Sequence, residues 1–90
     1  MNIFYITKLP EVTNPITELQ WKIDWWRDQY ATAKESTQAA WKMYDDAIEQ
    51  GEPQDMKDEL FGMAEMFEAI EHESWRRWQN AKAEYLAKLN

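Results

Sequence analysis

Between Ile16 and Ala47, apolar and small residues recur in steps that alternate three and four without a break. The series is Ile16, Leu19, Ile23, Trp26, Tyr30, Ala33, Thr37, Ala40, Tyr44 and Ala47. Such spacing defines a heptad seam, with its a and d positions along one side of a long helix. A helix patterned this way needs a partner to cover the seam, and the second half of the chain is patterned to supply one.

The punctuation between the halves sets the topology. Asn14 suits an N-cap, Pro15 the first helical position, and Glu18 places a negative charge in the positive first turn. Gly51 can take the left-handed geometry that ends a helix, and Pro53 suits the first turn of the next. The expected organisation is a helix over 14–50, a turn at 51–52 and a helix over 53–89. Residues 14–90 then form one helical hairpin, because so short a connection forces neighbouring antiparallel helices. The second helix presents Met56, Leu60, Met63, Phe67, Ile70, Ser74, Trp78, Ala81, Tyr85 and Leu89. Its extra four-residue step at Ser74–Trp78 reads as a stutter, which locally unwinds a left-handed supercoil.

Residues 1–13 do not read as helix. Ile3–Thr7 is β-branched and aromatic, Pro10 and Pro15 restrict what precedes them, and no second strand signal is available for pairing. The expectation is an extended arm lying on the helices or on another molecule. The fold class is thus all-α: a long antiparallel two-helix, coiled-coil-like hairpin with an N-terminal arm, completed by dimerisation into a four-helix bundle or by docking on a partner. Ninety residues with a single seam bury little against the ~1.5 kcal/mol that each ordered residue must offset, which is why a further partner is expected.

A turn at 51–52 makes residue i of the first helix face residue about 103 − i of the second. Trp41 then lies opposite Gly62, where a missing side chain would let the indole rest on backbone. Trp25 and Trp26 fall level with Trp75 and Trp78, with Trp21 one turn away, so five of six tryptophans gather toward the open end. Trp26 and Trp78 lie on the seams and read as core. Trp21, Trp25 and Trp75 lie off the seams and are candidates for a partner or dimer interface.

Charge is polarised along the rod. From Asp45 to Glu73 there are eleven acids against one base, Lys57, while the remainder carries six acids and nine bases. The carboxylates of Asp45, Asp46, Glu49, Glu52, Asp55, Asp58, Glu59, Glu65 and Glu68 are the candidate acidic binding surface. One base among so many acids forgoes the Glu–Lys pairs that ordinary helix surfaces use. A solvated face that keeps a tryptophan-rich chain in solution is the plainer explanation; an electrostatic footprint for a basic protein surface is the functional one. Direct binding of nucleic-acid phosphates by this segment is not expected. Arg76, Arg77, Lys82 and Lys88 offer only a weak basic patch at the other end.

Several function classes are disfavoured. The chain has no cysteine, no histidine–nucleophile pair and no glycine-rich phosphate loop, and a thin hairpin has no deep pocket, so no enzyme activity and no cofactor are expected. His72 has Glu68 and Glu71 nearby, but bundle metal sites use Glu-x-x-His, and position 69 is alanine, so no metal is expected. No apolar run approaches the ~18 residues of a membrane span, and Ile3–Ile6 lacks the flanks of a signal peptide. A cytoplasmic protein is expected, in the host cytoplasm if phage-encoded.

In length and hairpin form the chain resembles the small secreted WXG-type proteins. Their Trp-x-Gly sits at the turn, whereas here the turn reads Glu49-Gln50-Gly51 with Trp41 the nearest tryptophan, so that family is not assigned. In charge, size and lack of catalytic parts it resembles mobile-element antagonists of bacterial nucleases and defence complexes, including anti-CRISPR proteins. That resemblance implies an inhibitor whose carboxylates mimic phosphates on a basic surface. The alternative is a scaffold or chaperone that binds through the tryptophan-rich end.

Overall fold

The computed structural model describes residues 15–90. They form two helices packed antiparallel against each other, α1 over Pro15–Glu49 and α2 over Gln54–Leu89, with no strand among the described residues. At 1.5 Å per residue each rod is about 53 Å long. The expected arm over 1–13 and the N-cap Asn14 lie outside the described residues.

The turn is built as the glycine suggests. Gly51 has φ +68°, the Gly51 N–H donates to the Ile48 carbonyl (3.1 Å), and the Glu52 N–H donates to the Ala47 carbonyl (3.0 Å). These two bonds make a Schellman motif, which satisfies carbonyls that the end of α1 would leave without partners. Pro53 sits one position earlier than expected. It is the N-cap residue of α2, and its carbonyl accepts the first helical bond from the Lys57 N–H at 3.1 Å. Pro53 offers no side-chain cap; Asp55 brings negative charge to the first turn and accepts from the Met56 N–H at 2.9 Å.

All ten seam residues of α1 are buried or half-buried, with Leu19, Ala33, Thr37, Ala40 and Ala47 the most enclosed. Thr37 is accommodated there because its hydroxyl donates to the Ala33 carbonyl at 2.9 Å. Cross-helix pairs follow the expected register to within about a helical turn: Trp41 meets Phe61 with ring centroids 5.4 Å apart, Arg77 lies over Trp26 at 5.2 Å, and Gln20 Nε2–H donates to the Tyr85 hydroxyl at 3.1 Å.

The seam of α2 differs from the expectation in half its length. Ala64 is fully enclosed at 0% exposure, whereas Ile70 is 46% exposed and Met56 and Leu89 are exposed as well. The covered series is Leu60, Ala64, Phe67, Glu71, Ser74, Trp78, Ala81 and Tyr85, stepping four and three alternately with no stutter. The reason is geometric. An uninterrupted heptad on α1 keeps contact only with an uninterrupted heptad on its partner, so register prevails over apolar count. Glu71, half-buried on the seam, is the cost of that register. Gly62 also departs from expectation: it is exposed and nothing lies within 4 Å of where a Cβ would stand. Trp41 packs instead edge-on against Tyr44 and Phe61.

Two pairs of variants test this arrangement by urea unfolding. Gly62→Ala is expected to stabilise by about 1 kcal/mol because it adds helix propensity in open space, and Gly51→Ala to destabilise by about 1 kcal/mol because of its positive φ. Ala64→Leu is expected to cost about 1–3 kcal/mol by overpacking, while Ile70→Gln changes stability by less than about 0.5 kcal/mol. The reverse ranking of Ala64 and Ile70 would restore the stuttered register.

Candidate protein-binding surface

The Schellman turn places the last turns of α1 and the first turns of α2 side by side, which gathers carboxylates around one end of the rod. Asp45, Glu49, Asp55, Asp58, Glu59 and Glu65 are exposed, and Asp46, Glu52 and Glu68 are half-exposed. Asp46 pairs with Lys42 at 3.4 Å, and Asp58 accepts from Gln54 Nε2–H at 2.8 Å. Among the described residues no ion pair reaches the other eight candidate carboxylates. Unpaired like charges at helical spacing repel one another, an effect screened beyond ~8 Å at physiological salt.

Most of the bases sit on the remaining length of the rod, and several are engaged there. Arg27 lies 3.3 Å from Asp24 and 3.4 Å from Asp28. Arg77 lies over the Trp26 ring, and the Lys82 ammonium is 4.7 Å from the centre of Trp78. Glu73, where the acidic segment ends, is held by Arg76 and Arg77, each at 2.6 Å. Hydrogen bonds from Arg76 and then Arg77 hold the Glu73 carboxyl below the usual glutamate range, and Glu73 in turn raises the Arg76 guanidinium. Much of the positive charge near the open end is thus paired or stacked, while most of the carboxylates toward the turn have no ion pair among the described residues.

The candidate tryptophans do not form one cluster. Trp21, 62% exposed, and Trp25 stack on each other along the outside of α1, with centroids 5.7 Å apart and planes 12° from parallel. Trp75 follows Phe61 by two heptads and so shares the flank of Trp41 and Phe61, whereas Trp25 precedes Asp46 by three heptads and lies on the opposite flank. Trp78 stacks on Tyr30 (5.7 Å, 29°), and its buried Nε1–H finds no acceptor among the described residues.

A feature missed in the sequence is apolar. Met43 on α1 and Met56, Met63, Met66 and Ile70 on α2 line one flank of the hairpin, and all but Met63 are exposed. Assigning Met56, Met63 and Ile70 to the seam hid them. The signal that would have found them is the unbroken four-three series through Leu60, Ala64, Phe67 and Glu71. Where this flank reaches the turn, an open cleft of about 370 Å³ has Met43, Ala47, Met56 and Leu60 as its apolar walls and Asp46, Glu52 and Glu59 at its edge. A second open recess lies at the far end, beside Gln20, Ile23, Asp24 and Tyr85.

No helix of the described residues is long and apolar enough to cross a membrane. Compared with protein-family models, curated proteins and solved structures, the chain matches none of them. The surface is therefore interpreted from its own residues.

The Glu73 pairing has a checkable consequence. A carboxyl whose folded value lies below its unfolded value stabilises above the unfolded value of about 4.5, and that contribution is lost as pH falls through the folded one. In a carbon-detected NMR titration the Glu73 midpoint should lie below that reference and return toward it in the Arg76→Gln/Arg77→Gln variant. A midpoint that does not respond to losing both arginines would show that the pairing is absent in solution.

Proposed function

We propose that this chain is a non-enzymatic interaction module whose acidic end binds a basic surface on a larger protein. The reading extends to an inhibitor or regulator of a nucleic-acid-handling or bacterial defence protein, in which carboxylates occupy a channel that otherwise receives phosphates. The observation that carries it is the distribution of ion pairs. Four of the six described bases near the open end, Arg27, Arg76, Arg77 and Lys82, are paired with acids or stacked on indoles, while eight candidate carboxylates toward the turn have no ion pair among the described residues. Bare like charge destabilises a small rod, and contact with a basic partner relieves it. Electrostatic complementarity of this kind accelerates encounter and excludes acidic partners.

A second reading has an observation of its own. The exposed Trp21–Trp25 stack is a ready hot spot, and a scaffold or chaperone would bind through it while the acids served only solubility. The two readings separate on charge. With the chain immobilised and challenged with bacterial lysate, Asp45→Lys/Glu49→Lys/Asp55→Lys/Glu59→Lys is expected to lose the captured partner, and 0.5 M salt to release it from the unaltered chain. Retention of the same partner by the reversed variant overturns the acidic reading in favour of the aromatic one.

A further inference from the structure

The acidic end is more than a charged surface, because an apolar cleft opens in its midst. Met43 and Met56 form its walls at 49% and 44% exposure, and Ala47 and Leu60 of the seam close its floor. The cleft does not end there. Met63 and Ile70 follow Met56 at successive heptads, and Met66 lies between them, so the apolar strip continues along α2 toward the middle of the rod. From Met56 to Ile70 it extends for about 21 Å, or four helical turns. The four methionines of the described residues are all on this flank. Unbranched thioether side chains suit a surface that must adapt to another molecule, and exposed groups of them occur on binding faces more than on inert ones.

We infer that this methionine-lined flank is a docking groove for a basic amphipathic helix of the partner, laid alongside α1 and α2 as a third helix. The inference rests on the proposed binding of a basic protein and names the element that binds. Length and shape favour a helix: a strip of four turns between two parallel ridges accepts the apolar face of a third rod. Charge selects its sign. Glu52 and Glu59 stand at the edge of the cleft with no ion pair among the described residues, and Asp46 is held only by the exposed Lys42. Lysine or arginine flanking an apolar stripe would meet those carboxylates while leucine-like side chains enter between Met43 and Met56. The chain's own residues 1–14 carry a single base, Lys8, and one acid, Glu11, and so lack that complementarity.

The probe is a synthetic amphipathic Leu/Lys peptide of about four turns, with its Leu/Glu counterpart as control, followed by fluorescence anisotropy on the full chain. The Leu/Lys peptide should bind and the Leu/Glu peptide should not. Met43→Gln/Met56→Gln/Met63→Gln leaves net charge and helix propensity nearly unchanged and should weaken binding at least tenfold, while Glu52→Gln/Glu59→Gln should flatten the salt dependence. Circular dichroism confirms that both variants remain folded. Binding that survives the methionine changes shows adsorption to charge alone and overturns the inference. So does sedimentation of the unaltered chain as a dimer that the methionine changes dissolve, since the flank then belongs to a second copy. Failure of the peptide with charge-dependent lysate capture intact removes the groove alone. Methionine-dependent peptide binding with charge-insensitive capture removes the acidic reading instead.

Discussion

A seam whose most enclosed residues are mostly small governs this molecule. Ala33, Thr37, Ala40 and Ala47 on α1 face a strip of α2 whose most enclosed members are Ala64, Ser74 and Ala81, and no large side chain is fully buried. Small side chains at a helix–helix contact bring the axes toward the lower end of the 8–10 Å range. Larger seam members such as Trp26, Tyr30, Tyr44 and Trp78 are therefore only half-buried, with Trp78 stacked on Tyr30 across the helices. Other bulky residues lie on the flanks, where Trp41 and Phe61 pack beside the seam residue Tyr44 along one side and the methionines line the other. Large apolar exposure is thus a consequence of the seam's composition.

The same constraint explains which features could be read from the chain directly. On α1 only one series of apolar or small residues steps by three and four, so the seam from Ile16 to Ala47 was unambiguous and every member is covered. The turn was equally legible, because a left-handed glycine followed by proline leaves few alternatives. On α2 two series run side by side. One collects Met56, Met63 and Ile70; the other collects Ala64 and Glu71. Hydrophobicity favours the first, and the register imposed by an unbroken partner heptad favours the second. A rule that counts apolar residues fails where small residues do the packing, and the methionine flank was concealed by that failure. The acidic end and the off-seam tryptophans were legible because charge and heptad position need no knowledge of the partner helix.

Electrostatics reinforces the division of the rod. Arg27, Arg76 and Arg77 are satisfied within a turn of their own helix, and Arg77 and Lys82 also cover indole faces that would otherwise meet water. Exposed pairs of this sort contribute little to stability, with a median near 0–1 kcal/mol. Their effect on recognition is larger, because a guanidinium already stacked and paired presents less free charge to phosphates. Of the candidate carboxylates toward the turn, Asp46 alone has an ion pair among the described residues. What the rod offers near its turn end is therefore chiefly negative, because the excess of acids is concentrated between Asp45 and Glu73.

These two properties divide the work of recognition between them. Long-range attraction sets how often a basic partner arrives, and it decays over the ~8 Å screening length of physiological salt. Apolar contact sets how long the partner remains, since differences among related complexes appear mainly in dissociation rates. Glu52 and Glu59 border the very cleft that Met43 and Met56 line, so a partner drawn by the first pair would be delivered to the second. Either element alone is an ordinary feature of a protein surface. Their coincidence at the turn, where Gly51 joins two helices whose methionines lie off the seam, gives this rod a place where a basic amphipathic helix would find charge and apolar surface together.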